Sequence, residues 1–148
     1  MTPRTILLVE DSPDDVALAG AAFARLGLGH RLTVAADGET ALEYLLHDGP
    51  GGDRARSMPD LVLLDLKLPG IDGFEVLRRI RADPRAGILP VVMLTSSIEE
   101  RDLLAGYQLG ANSYIRKPID FDEFLSVLEQ LARYWLALNQ PPPLEMQP

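Results

Sequence analysis

Polar residues that could carry out phosphoryl transfer follow short apolar segments of the sequence. They are Glu10, Asp11, Asp65, Thr95 and Lys117. The carboxylates are oxygen ligands of the kind that Mg2+ prefers, and the lysine supplies a point charge for a phosphate group. An aspartate can act as a nucleophile that accepts a phosphoryl group, and the threonine adds a hydroxyl. These residue types together indicate Mg2+-dependent phosphoryl transfer with one aspartate as the nucleophile.

These residues can act together only if the fold brings distant segments to one place. Five short apolar segments are predicted to be strands, at 6–9, 32–35, 61–64, 91–94 and 113–115. Five amphipathic segments alternate with them and are predicted to be helices. This alternation indicates an α/β fold, and unbroken apolar strands indicate a parallel sheet with helices on both faces. We therefore expect a five-stranded sheet that is mostly or wholly parallel.

The helical segments carry recognisable start signals and apolar faces. The first helix is predicted to begin at Pro13 after the cap Ser12, with the acids Asp14 and Asp15 in its first turn. Its predicted apolar face consists of Val16, Gly20, Phe23 and Leu26. The last helix is predicted to start at Asp120 and to have an apolar face of Phe121, Phe124, Leu125, Leu128 and Leu131. Asp14 and Asp15 are therefore interpreted as residues that stabilise a helix end.

The order of the strands decides whether the three acids meet. In open α/β sheets, ligands bind at the carboxyl ends of the strands where the strand order reverses. A sheet of order 2-1-3-4-5 would bring Glu10, Asp11 and Asp65 together at that point. Like charges in contact repel, so one acid must be protonated or a cation must join them, and oxygen ligands favour Mg2+. The alternative is that Glu10 and Asp11 only stabilise the first helix and that Asp65 is a turn residue.

Composition excludes several classes of function. The 148 residues suffice for one domain, and the absence of cysteine excludes disulfides and thiolate catalysis. A net charge of -8 disfavours nonspecific binding to nucleic acid. From the sequence we expect neither a signal peptide nor a segment that spans a membrane, because no apolar stretch is long enough. We therefore expect a cytoplasmic protein that binds neither membranes nor nucleic acid directly.

Four motifs make the sequence resemble the response-regulator receiver domains of two-component signalling. They are "VED" at 9–11, "LLDLKLPGIDG" at 63–73, "LTSS" at 94–97 and "YIRKP" at 114–118. Each motif alone is weak, but the set in this order is specific and extends over residues 5 to about 135. The resemblance implies the flavodoxin-like receiver fold, with the strand order 2-1-3-4-5 and five helices on both faces of the sheet.

The resemblance also implies a role for each polar residue. Asp65 would be the phosphoacceptor, and Mg2+ would be bound by Asp65, by Asp11 directly and by Glu10 mainly through water. The backbone carbonyl of Lys67 would be a further metal ligand. Thr95 and Lys117 would contact the phosphoryl oxygens.

Two further expectations near the fifth strand rest on the resemblance. Tyr114 would be the aromatic residue that changes position when the protein is phosphorylated, although its alternative role is core packing. The peptide bond between Lys117 and Pro118 would be cis, as it is in the family.

The two ends of the domain carry additional predictions. Residues 1–138 are predicted to form the receiver domain with a long loop at 47–60, and 139–148 a proline-rich tail. Tyr134, Trp135 and Leu138 make the end of the last helix apolar nearly all round, which predicts a homodimer interface. The alternative is that the tail folds back onto its own core. The loop and the tail resemble stand-alone regulators that are paired with bacteriophytochrome histidine kinases.

The predicted function is therefore that of a response regulator which accepts a phosphoryl group from a sensor histidine kinase, and which is not a turnover enzyme. One alternative is a phosphorelay intermediate that passes the phosphoryl group to a histidine phosphotransfer protein. A second is an aspartate-nucleophile phosphatase, but these enzymes need Asp-x-Asp after the first strand, whereas here Asp11 and Asp14 are separated by two residues. A third is a flavin-binding module, which the acidic segment at 10–15 disfavours because it would repel a phosphate.

Overall fold

The computed structural model describes residues 4–46 and 58–143. The predicted loop at 47–60 therefore lies largely outside the described residues, as does the end of the predicted tail. All five predicted strands are present, each within one residue of its expected bounds. They are β1 (Thr5–Val9), β2 (Arg31–Ala35), β3 (Leu61–Leu64), β4 (Val91–Thr95) and β5 (Ser113–Arg116).

The strands form one parallel sheet of order β2-β1-β3-β4-β5. From β1 the chain continues to β2 on one side, and it then returns to β3 on the other side, so the switch point lies between β1 and β3. Val9 pairs with Leu64 at their carboxyl ends. The polar residues that follow β1 and β3 therefore emerge side by side at one edge of the sheet.

Five α-helices connect or follow the strands, as predicted. They are α1 (Pro13–Leu26), α2 (Gly38–Leu46), α3 (Gly73–Ala82), α4 (Glu100–Gln108) and α5 (Phe121–Arg133). Four of them begin at an acid or serine cap whose side chain accepts a backbone N–H, namely Ser12 from Asp15, Asp37 from Thr40, Asp72 from Glu75, and Asp120 from Glu123. These caps satisfy N–H groups that have no partner within the helix and so fix where each helix begins.

The sheet separates two apolar layers. Alternate residues of each strand point to opposite faces. On one face, Leu7 and Leu64 are covered by apolar residues of α2 and α3. On the other face, Ile6 and Leu8 are covered by apolar residues of α1 and α5. This arrangement explains why the strands are apolar without interruption.

The helix α4 contributes little to either layer. Gly106 is its one buried residue among those the structure describes, while Leu104 and Tyr107 are at least half exposed. Gly106 packs against the ring of Tyr114 on β5, and an added Cβ would lie 3.0 Å from Tyr114 Cδ2. The position of α4 therefore depends on a small contact with β5.

The end of the last helix is only partly as predicted. A π-helical turn, Tyr134–Leu138, continues α5. Leu136 is buried and Trp135 packs against the layer beneath α1 and α5, whereas Tyr134 and Leu138 are 49% and 66% exposed. The segment therefore has one buried face and one exposed apolar face. In the described parts of the chain, no helix combines the length and apolar character that crossing a membrane requires.

Candidate functional site

The three predicted acids meet at the carboxyl ends of β1 and β3. Glu10 N–H donates to Ala35 O at 3.0 Å, and Asp65 N–H donates to Val9 O at 3.0 Å, so the sheet ladder fixes both backbones. One carboxylate oxygen from each of Glu10, Asp11 and Asp65 lies within 4.8 Å of the others. An all-oxygen set of this kind fits a hard divalent cation such as Mg2+ or Mn2+.

Glu10 is the most deeply buried of the three acids, at 2% exposure. Its Oε1 accepts from Lys117 Nζ at 2.6 Å, and its Oε2 accepts from Ser12 N–H at 3.2 Å. Burial, reinforced by the nearby charge of Asp65, raises the pKa of Glu10 to about 7 despite its bond to Lys117. Without a metal ion, this carboxyl therefore gains a proton near neutral pH.

Lys117 connects three carboxylates. In addition to Glu10, its Nζ donates to Asp15 Oδ2 at 2.8 Å and to Asp65 Oδ2 at 3.3 Å. Burial lowers the pKa of Lys117, but its hydrogen bonds to Asp15 and Glu10 outweigh that effect and raise the pKa above its ordinary value. The ammonium is therefore a fixed positive charge next to the predicted phosphoacceptor.

Asp15 is a site residue that the sequence did not reveal. Its position in the first turn of α1 is fully explained by the helix end, and its partner Lys117 is distant in sequence. No spacing rule connects these two positions, because only the packing of α1 against α5, the helix that follows Lys117, brings them together.

The predicted phosphoacceptor lies at the start of a tightly packed loop. Asp65 is 7% exposed, and its Oδ1 accepts from Lys67 N–H at 3.3 Å. Gly73 N–H donates to Leu66 O at 2.8 Å, and a Cβ on Gly73 would lie 2.3 Å from Asp65 O. Glycine at the start of α3 therefore allows this helix to approach the backbone of the acceptor.

Thr95 lies at the carboxyl end of β4 and is fully buried. Its carbonyl accepts from Lys117 N–H at 2.7 Å, and its hydroxyl accepts from Ser97 N–H at 3.2 Å. The backbone bond fixes Lys117 beside Thr95. The fold therefore places Thr95 next to Lys117, whose ammonium contacts the acids.

Tyr114 is partly buried on β5, beneath α4. Its hydroxyl is buried and forms no hydrogen bond within the described residues. The nearby Ser97 hydroxyl donates to Asp102. Burial, with the charge of Asp102, raises the pKa of Tyr114 above its ordinary value. The ring packs on Gly106, and a change of its position on phosphorylation stays a prediction.

The expectation of a cis peptide bond between Lys117 and Pro118 is wrong for this structure, in which the bond is trans. That expectation rested on the resemblance alone. The trans form is the more stable one for most bonds that precede proline. Lys117 reaches Glu10 and Asp65 in the trans geometry as well.

Exposed apolar residues lie beside the site. Ile119 and Phe121 follow Pro118 and are exposed, as is Ile98 in the loop after β4. An open groove of about 280 Å³ extends from Lys117 and Asp15 to Phe121. The helix period predicts that Phe121 lies on the buried face of the last helix, but it borders this groove instead.

Comparisons with known proteins agree with this geometry. The family model described as "Response regulator receiver domain" matches residues 6–129. The probable methanogenesis regulatory protein FilR2 of Methanothrix harundinacea is 44% identical, over 95% of this chain and 88% of its own length. Response regulator Rcp1 of Synechocystis is 37% identical, over 90% of each chain.

Solved structures show the same similarity. The phosphorylated cyanobacterial phytochrome response regulator RcpA has a TM-score of 0.87 and 36% identity, over 95% of this chain and 99% of its own. The Mn2+-bound form of Rcp1 has a TM-score of 0.86 and 35% identity, over 95% of this chain and 99% of its own.

Proposed function

The chain belongs to the response regulator receiver domain family, and from this premise we propose that it accepts a phosphoryl group on Asp65 from a sensor histidine kinase. The observation that carries the proposal is that Asp65 belongs to the acid cluster and also contacts Lys117, whose Nζ lies 3.3 Å from Asp65 Oδ2. No other described aspartate combines these two neighbours.

The proposed transfer is a displacement at phosphorus. A carboxylate oxygen of Asp65 attacks the phosphorus of a phosphohistidine, a P–O bond forms, and the P–N bond breaks. The electron pair of that bond returns to the imidazole nitrogen, and a proton on the other ring nitrogen lets the kinase histidine leave as neutral imidazole. Lys117 and the hydroxyl of Thr95 stabilise the phosphoryl oxygens by charge and hydrogen bonding.

Mg2+ is the proposed cofactor. Glu10, Asp11 and Asp65 would hold it, with the Lys67 carbonyl as a further proposed ligand, and it would neutralise charge on the transferring group. The donor set of three carboxylates supports this assignment. The similar protein Rcp1 has a Mn2+-bound form, and Mn2+ prefers the same kind of ligand.

The proposed kinase is a phytochrome, in particular a bacteriophytochrome. The likeness to RcpA, described as a phytochrome response regulator, supports this proposal. The name of FilR2 refers instead to methanogenesis, so the proposal of a light-sensing kinase depends on the likeness to RcpA. The exposed apolar residues beside the site, Ile119 and Phe121, offer a surface for a kinase that must bring its histidine to Asp65.

The proposed output is a change of binding surface. A phosphoryl group adds about -1.5 to -2 charges beside Thr95. Movement of Thr95 toward it would remove the acceptor of Ser97 N–H and so alter the loop that leads into α4. Because α4 packs loosely, such a change would alter the exposed surface around α4 and Tyr114 rather than release a product.

The proposed location is the cytoplasm, where a kinase obtains the ATP that it needs.

A homodimer is proposed through the exposed apolar end of the last helix. Tyr134 and Leu138 are exposed there, and Trp135 is partly buried.

Phosphorelay to a further histidine is a second candidate output, because transfer of the phosphoryl group from Asp65 to a histidine is the reverse of the proposed reaction.

Incubation with acetyl phosphate and Mg2+, followed by mass spectrometry of the intact protein, tests the proposed function. The wild type should gain the mass of one phosphoryl group, and Asp65→Asn should gain none. Asp11→Asn should gain much less because its metal site is incomplete. An unmodified wild type, or a modified Asp65→Asn variant, would contradict the assignment. Failure to hydrolyse p-nitrophenyl phosphate would separate the protein from aspartate-nucleophile phosphatases.

A further inference from the structure

The contacts of Lys117 extend beyond the acid cluster to the first helix. The ammonium has three N–H donors, and three carboxylate oxygens lie within hydrogen-bond distance of it. The Asp15 side chain is 28% exposed, compared with 2% for Glu10 and 9% for Asp65. All three donors therefore have partners before any phosphoryl group arrives, and Asp15 is the most accessible of these partners.

We infer that Asp15 is a positioning residue that competes with the phosphoryl group for Lys117. This inference rests on the proposed function, because it concerns the acceptance of a phosphoryl group by Asp65. A phosphoryl oxygen can take a hydrogen bond from Lys117 only if one existing bond is given up. Loss of the bond to Lys117 costs the least free energy for Asp15, because water can reach and solvate its carboxylate, whereas Glu10 and Asp65 are almost fully buried.

Exposure to water favours Asp15 over the other two partners as the one released. Until that release, its 2.8 Å bond to Nζ, shorter than the 3.3 Å bond to Asp65, holds the ammonium away from the acceptor. Asp15 is also a third carboxylate that shares the ammonium of Lys117 with Glu10 and Asp65. Removing its charge should therefore leave Lys117 freer to contact the phosphoryl oxygens.

The test compares Asp15→Asn with Asp14→Asn in the full chain. Both residues lie in the first turn of α1, so each change removes one charge from the same helix end. Asp14 is exposed, whereas Asp15 accepts the hydrogen bond from Lys117. The initial rate of phosphorylation by acetyl phosphate with Mg2+ should rise about threefold in Asp15→Asn relative to Asp14→Asn. Equal rates, or a lower rate in Asp15→Asn, would overturn the inference.

A second measurement reports on Lys117 without phosphorylation. The 15N resonance of its ammonium should shift in unphosphorylated Asp15→Asn and stay unchanged in Asp14→Asn. An unchanged resonance in both variants would overturn the inference, while circular dichroism confirms that both are folded. A wild type that gains phosphate with no difference between the variants refutes only this inference. A wild type that gains none refutes the proposed function.

Discussion

The Ser97 hydroxyl donates a 2.6 Å hydrogen bond to Asp102 Oδ2, which ties the loop after β4 to the first turn of α4. The same hydroxyl accepts from Glu99 N–H at 3.3 Å, and Ser97 N–H donates to the Thr95 hydroxyl. Thr95 and α4 are thus joined through one serine. This connection gives the proposed movement of Thr95 a direct route to α4.

Asp102→Ala should loosen this loop. It removes the acceptor of a buried hydroxyl, which costs about 1–2 kcal/mol of unfolding free energy. Hydrogen exchange of the Ser97 and Glu99 amides should become faster than in the wild type. Asp122→Ala, a change in the first turn of α5, is the matched control and should leave both amides unchanged. Unchanged exchange in Asp102→Ala would show that the serine does not fasten the loop.

Gly106→Ala should destabilise the protein through Tyr114. The new methyl group would lie 3.0 Å from the ring, and such overpacking costs about 1–3 kcal/mol, more than the roughly 1 kcal/mol gained in helix propensity. In a Tyr114→Ala background the same change should be neutral or stabilising. Urea unfolding of the four proteins measures both effects. Equal effects in the two backgrounds would mean that Gly106 and Tyr114 are not coupled.

Glu10 should make the metal-free protein less stable as pH rises. The pKa of Glu10 is raised by burial to about 7 in the folded state, against an ordinary value of 4.5, so the folded state holds the proton more tightly. The unfolding free energy should therefore fall between about pH 4.5 and pH 7, by roughly 1–3 kcal/mol, and then level off. Glu10→Gln should remove this part of the pH dependence.

Chemical denaturation at several pH values, without divalent metal, measures that dependence. The exposed Glu43→Gln is the control and should retain the wild-type slope. Mg2+ should also bind more weakly below about pH 7 in the wild type, because binding must compete with the proton on Glu10. A Glu10→Gln slope equal to that of the wild type would contradict the assignment.

Lys67→Ala should shorten the lifetime of the phosphorylated form. Lys67 follows the acceptor by two residues, is exposed, and has its backbone N–H bonded to Asp65. Its long side chain can reach over the phosphoryl group and hinder water. Loss of phosphate over time, followed by intact mass, should be several times faster in Lys67→Ala. Equal decay would exclude this shielding role.

Tyr134→Ser together with Leu138→Ser should convert the proposed dimer into a monomer. Both side chains are exposed and apolar, so their burial would provide much of the driving force for association. Light scattering at micromolar concentration measures the mass. Ile88→Ser, which changes an exposed apolar residue elsewhere, should remain dimeric. A monomeric wild type would refute the dimer.

The strands were predictable because complete burial makes them apolar without interruption. The helix starts at Ser12 and Asp120 were predictable because each side chain satisfies a nearby backbone N–H group. Both signals are local. The strand order and the meeting of Glu10, Asp11 and Asp65 depended in part on the resemblance to a known family.

Features that depend on tertiary packing could not be predicted in the same way. The helix period predicts a buried face of Val16, Gly20, Phe23 and Leu26. Of these, Phe23 is buried and Val16 and Leu26 are partly buried, whereas the other fully buried residues of the first helix are Leu18, Ala19 and Ala22. Small alanines fit closely against the sheet, and a count of large apolar residues overlooks them. Phe121 is exposed although the helix period places it on the buried face, because it borders an open groove that only the tertiary structure creates.

The slight attachment of α4 to the rest of the domain separates folding from recognition. Its outward residues, such as Leu104 and Tyr107, can be exchanged with little penalty to the sheet and its two layers. Under the proposed output, substitutions on this one helix would change the target that is bound while the chemistry at the strand ends stays intact.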